Sequence, residues 1–185
     1  MIELKIFISG VSCIGKSTIG SKLAKIMNYK FYDLDIEIEN HFEMSIAKIK
    51  SKYLTEYSYR KDASIVLKKI MEDNKNSNYV VALPPSGLMG AYWRQIKIEV
   101  DGIILVLKDK PKNILERITF YDDDSKKLDI NLNEKEKKYY LKEIKEDISY
   151  FNRSYRKTAH HINIENLNIE ESAKKIQEYL KNIPI

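Results

Sequence analysis

Glycine is scarce in this chain, with 6 of 185 residues, about half the usual ~7%. Cysteine is scarcer. The single Cys13 excludes an internal disulfide and a cysteine metal cluster. No apolar run approaches the ~18 residues that a membrane-spanning helix needs. Met1–Ser9 leads straight into a turn, so no signal peptide is expected. Repeats, low-complexity tracts and linkers are missing, and residues 118–152 contain no arginine. These lacks point to a soluble protein of the reducing cytoplasm without a membrane partner. A monomer is expected.

The composition is that of a globular chain: 43% hydrophobic, 32% charged and 10% aromatic. Collagenous and wholly disordered classes are excluded. A chain of 185 residues suits a single domain, 1–185. It can bury roughly 70% of its unfolded surface, enough for one core. Net charge is +5. Lys and Glu interleave along the expected helices, so the excess reads as solvated Lys-rich faces, with phosphates the leading anionic ligands. No basic array interleaved with aromatics suggests nucleic acid.

Apolar patterning predicts strands over 1–9, 30–32, 78–83, 102–107 and 159–164. Helices are expected over 17–28, in two or three pieces over 36–75, and over 88–99, 111–120, 133–156 and 169–180. Asn133 with Glu136 has capping-box spacing. The polar stretch 121–132 reads as a loop. Alternating strands and helices predict an α/β fold, a five-stranded parallel sheet with helices on both faces making three layers.

Three glycines, Gly10, Gly15 and Gly20, fall in the first 20 residues. They are expected to mark close approach of backbone to a ligand. Gly10-Val11-Ser12-Cys13-Ile14-Gly15-Lys16-Ser17 fits G-x-x-x-x-G-K-[ST] between a strand and a helix. By residue frequencies a chain of this length matches by chance at most about once in a hundred. The competing reading is a glycine-rich turn without a ligand. Backbone N–H groups of such a loop cradle phosphate oxygens, and the helix N-terminus adds positive potential. Lys16 would reach the β- and γ-phosphates of ATP, and the Ser17 hydroxyl would ligate Mg²⁺. Cys13 reads as a loop position contributing backbone only.

Asp33 and Asp35 follow the second strand at its C-terminal end, where parallel sheets bind ligands. If the chain stays extended they share a side. One could serve Mg²⁺ and the other accept a hydroxyl proton. The bland alternative is a helix N-cap.

In order and spacing, Gly10–Thr18, Phe31–Asp35, Ile38-Glu39 and Met44–Ile49 resemble shikimate kinases. Glu56 with Tyr59-Arg60 resembles the stretch that holds that family's substrate arginine, and Ile114–Arg117 the segment whose arginine packs on adenine. Ile164–Leu180 resembles its terminal loop and helix. The resemblance implies a P-loop, nucleotide-kinase-like fold with a mobile lid near 121–133. It implies ATP- and Mg²⁺-dependent phosphorylation of a hydroxyl on a small anionic acceptor, shikimate or a related hydroxy acid. Carried over by position, Lys16 stabilises the transferring phosphate, Ser17 and Asp33 serve Mg²⁺, and Asp35 orients the acceptor hydroxyl. The nucleotide would lie against Gly10, Val11, Ser12, Cys13, Ile14, Gly15, Lys16, Ser17, Thr18 and Arg117. Arg60 and Arg153 would bind the acceptor.

The departures cluster on the acceptor side. Pro84-Pro85-Ser86-Gly87 stands where the family has a glycine triplet, and two prolines remove two backbone donors. A lid arginine would have to be replaced by Lys126 or Lys127. Asp122-Asp123-Asp124 reads as a solvated loop tip. Tyr92, Trp93 and Arg94 either line a new acceptor pocket or simply pack as an amphipathic helix. Two further functions stay open: a nucleoside or nucleotide kinase, and a non-catalytic ATP-binding module. His41, His160 and His161 are too scattered for a metal site.

Overall fold

The computed structural model describes residues 3–98 and 102–183. Met1, Ile2 and Glu99 of the expected elements lie outside them. Five parallel strands form one sheet: β1 (Lys5–Ser9), β2 (Lys30–Asp33), β3 (Tyr79–Ala82), β4 (Gly102–Lys108) and a last strand, His160–Asn163, in the order β2-β3-β1-β4-last. All five residues of the central β1 are buried. Its run of apolar residues does not alternate because helices cover both faces.

Helix α1 (Lys16–Met27) follows β1 and buries Ile19, Gly20, Leu23 and Ala24. After β2 come α2 (Leu34–Phe42), α3 (Ile46–Lys50) and α4 (Glu56–Asp73), three pieces where two or three were expected over 36–75. Then come α5 (Gly90–Ile96) after β3 and α6 (Pro111–Glu116) after β4. A two-stranded antiparallel hairpin follows, β5 (Phe120–Tyr121) with β6 (Lys127–Leu128). Helix α7 (Glu134–Tyr155), the last strand of the sheet, now β7 (His160–Asn163), and α8 (Ile169–Lys181) complete the chain. The capping box of Asn133 and Glu136 is present at the start of α7.

Four sequence expectations change. The helix expected over 111–120 ends at Glu116, because Arg117 leaves helical geometry and Phe120 pairs with Leu128. The loop expected over 121–132 contains the hairpin. Its turn forms because the Asp122 carboxylate accepts from the backbone N–H of Asp124 and of Lys126, each at 2.9 Å. The chain does not stay extended to Asp35. Asp33 caps α2, and its carboxylate accepts from Asp35 N–H at 3.1 Å. Gly20 serves packing rather than a ligand: a Cβ there would lie 2.9 Å from the Phe31 ring. The missing side chain lets α1 sit close on the sheet.

The C-terminal ends of β1, β2, β3, β4 and β7 open on one edge, where parallel sheets of this kind bind ligands.

Candidate active site

A cleft of about 980 Å³ runs along that edge. Its floor is the phosphate loop between β1 and α1. The loop needs left-handed backbone at Cys13 (φ 58°) and at Gly15 (φ 107°). Gly15 is also the N-cap of α1, so no side chain caps the helix, and its first turn carries no acidic residue. The N–H groups of this turn are therefore open to an anion. Ser12 through Ile19 line the cleft, while Gly10 and Val11 lie beneath it, both buried.

Lys16 is buried, and its Nζ donates to the Val11 carbonyl at 2.9 Å. Burial pulls its pKa down to about 8, against the nearby charges of Asp35, Cys13 and Asp33, which favour the ammonium. Asp33 and Asp35 both line the cleft, despite the turn into α2. Burial, and next the charge of Asp33, push Asp35 up to about 6, with Lys16 and Lys50 opposing. Asp35 is thus a carboxylate poised to change protonation near neutral pH.

Arg117 lines one end of the cleft and is paired with Asp109. Beside it lies a smaller cavity of about 510 Å³, walled by Lys22, Leu167, Asn168, Ile169 and Glu170.

At the opposite end the turn after β3 is closed by Gly87 N–H donating to the Pro84 carbonyl at 2.8 Å. Tyr155 Oη donates to the Pro85 carbonyl at 3.1 Å, and Lys157 Nζ to the Leu88 carbonyl at 2.6 Å. The Pro-Pro-Ser-Gly segment is therefore tied to the end of α7, and Pro85 faces the cleft as an apolar wall. Below it, Tyr59 and Tyr92 are buried. Burial raises both phenols, and the charge of Asp35 adds to each shift.

Several expected residues stand elsewhere. Trp93, Arg94 and Tyr92 line no part of the cleft. Trp93 stacks under Lys157 Nζ, 4.9 Å from its ring centroid, and Arg94 points to solvent, as in ordinary helix packing. Arg60 sits outside the cleft wall on α4, with Nη1 3.8 Å from Glu56. Arg153 is exposed on the last turn of α7, near enough to help lower the Lys157 pKa, and is not in the cleft either. Lys126 and Lys127 do not reach the cleft. The hairpin region contributes Thr119, Tyr121, Asp122, Asp123 and Ser125.

Nor is the acidic tip merely solvated. The Asp123 carbonyl accepts from Ser45 Oγ, Asp124 pairs with Lys48, and Ser125 Oγ donates to Glu39. Glu39 also accepts from Ile46 N–H at 2.8 Å, so one carboxylate joins α2, α3 and the hairpin. Sequence reading passed over Ser45, Lys48 and Ser125, because their partners lie about 80 residues away.

A family model described as shikimate kinase matches residues 12–181. The chain belongs to the shikimate kinase family. A shikimate kinase of Caldanaerobacter subterraneus is 28% identical over 183 residues, covering 95% of this chain and 96% of the relative. The crystal structure of a shikimate kinase from Aquifex aeolicus superposes with a TM-score of 0.70 at 26% identity, covering 96% of each chain. One from Bacteroides thetaiotaomicron gives 0.74 at 20% identity, over 96% of this chain and 98% of that one, a likeness of fold.

Proposed function

We propose that this chain transfers the γ-phosphoryl group of ATP to a hydroxyl of shikimate or a closely related hydroxy acid. The observation that carries this reading is the presence of Lys16 and Asp35 in one cleft, in a chain matching the shikimate kinase model almost throughout. That match disfavours a nucleoside kinase and a non-catalytic module.

In this reading the triphosphate lies along the loop residues Gly10–Thr18, with N–H groups of the first turn of α1 on its oxygens. Arg117 packs on adenine beside the smaller cavity. Asp35 accepts the acceptor's hydroxyl proton as the oxygen bonds to the γ-phosphorus. The bond from γ-phosphorus to the bridging oxygen breaks in line, and ADP leaves. Lys16 neutralises charge on the transferring group. Ser17 and Asp33 suit Mg²⁺: the Ser17 side chain is exposed in the cleft, and Asp33 uses only Oδ1 for its cap. When bound, the ion screens phosphate charge. Arg60 and Arg153 are our candidates for the acceptor's carboxylate, and both would have to move toward the cleft. The lone thiol fits a reducing cytoplasm.

The test is direct. Purified protein with ATP, Mg²⁺ and shikimate should release ADP in step with a phosphorylated acid, and nucleosides should not substitute. Absence of product from shikimate and from a panel of hydroxy acids would overturn the reading.

We read 121–133 as the lid, held down by Ser45, Lys48 and Glu39. The Lys48–Asp124 pair is exposed on both sides (54% and 56%), so solvent screens it and its hold is weak. Lys48→Ala should therefore open the lid at most a few-fold more often. Trypsin cleavage at Lys126-Lys127 should accelerate by that factor, and ATP should slow it.

A further inference from the structure

Glu56, at the start of α4, bridges two cations: its Oε1 lies 3.2 Å from Lys50 Nζ and its Oε2 3.8 Å from Arg60 Nη1. Lys50 ends α3. Ile46 and Ala47 of that helix line the cleft, and Lys50 is one turn beyond Ile46 on the same face. Lys50 Nζ also stands 5.1 Å from the centroid of the Tyr59 ring, and Tyr59 is close enough to Asp35 for that carboxylate to raise its pKa. Arg60 is largely buried, and its Nε is enclosed with no hydrogen-bond partner among the described residues. Two cations thus converge on one carboxylate, with an unused guanidinium donor beside them. Glu56 itself is 55% exposed, so its hold on the pair is weak and easily exchanged.

We infer that Lys50 is a second acceptor-binding cation, which together with Arg60 exchanges Glu56 for the carboxylate of the acceptor as the two side chains turn toward the cleft. This inference rests on the function proposed above, because it assigns the acceptor a carboxylate. Lys50 is also near enough to Asp35 for its charge to favour the ionised carboxylate. A cation on α3 fits the lid's lack of arginine.

The experiment compares shikimate with its methyl ester in wild type and Lys50→Met. The variant should lose about tenfold in kcat/KM for the acid, the loss of one charge-assisted contact. It should change less than about twofold for the ester. The KM for ATP should stay at the wild-type value, and Lys50→Arg should restore most of the loss. Equal losses for acid and ester would assign Lys50 a packing role and overturn the inference, as would no loss for either. Should Lys50→Met fail to fold, Lys50→Gln provides the same comparison. Wild type that turns over neither compound would instead sink the proposed function, and the inference with it.

Discussion

Lys16→Met is expected to lower kcat by about a thousandfold or more. The ammonium supplies the fixed positive charge nearest the phosphate loop, in a setting with little water to replace it. Methionine keeps the aliphatic length and discards the charge. Affinity for a non-hydrolysable ATP analogue, read by calorimetry, should fall at least tenfold, about 1.4 kcal/mol. The melting temperature should hold or rise, because the buried ammonium is disfavoured by its surroundings, as the fall of its pKa to about 8 records. A loss of turnover accompanied by a lower melting temperature would point to damaged folding instead. Unchanged ATP-analogue affinity would remove Lys16 from the nucleotide site.

Asp35→Asn is expected to cut kcat by about 10²–10⁴, the range for loss of a general base. KM for ATP should change little. The pH profile of the wild type follows from the same group. With a pKa of about 6, Asp35 is the base only when ionised, so kcat/KM should fall below about pH 6 with unit slope on a log scale. The variant's residual activity should lack that fall.

Stability should move the other way. The folded pKa is raised from 3.8 to about 6, so between those values the native state binds more protons than the unfolded chain. The contribution of Asp35 therefore becomes less favourable as pH rises through this window. At pH 7 the ionised group costs at most about 3 kcal/mol, at 1.36 kcal/mol per pKa unit. Asp35→Asn should accordingly be more stable than wild type at pH 7, and the difference should vanish near pH 4. Chemical denaturation at the two pH values measures it. A variant less stable than wild type at pH 7 would show that Asp35 is held by favourable contacts rather than strained for function.

Local patterns carried much of this architecture in the sequence. Strands such as Phe7–Ile8 and Ile103–Leu107 read as continuous apolar runs because both faces of the sheet are covered. The phosphate loop was legible because its chemistry needs contiguous residues: glycine where φ is positive, then lysine and serine on the first turn of a helix. The start of α7 was legible for a similar reason, since a capping box spans only four residues.

What spacing could not supply was contact across the fold. Asp33 and Asp35 were expected to share a side as an extended pair. They share the cleft instead because Asp33 caps α2 and swings the next turn inward. Trp93 and Arg94 sat beside the altered loop in sequence, yet α5 turns them away from the cleft, under Lys157 or out to solvent. The acidic tip of the hairpin looked solvated until its partners on α2 and α3 were brought next to it.

By itself, then, the sequence determined the layers of the fold and the nucleotide loop, since helix periodicity, strand burial and phosphate cradling all act over a few neighbouring residues. Only the tertiary structure decided which distant charges meet: Lys16 with Asp35, Glu56 with Lys50, and Lys48 with Asp124. Electrostatic pairing depends on distance in space and on burial, and most of these partners lie on different elements, which the packed sheet and its helices bring together.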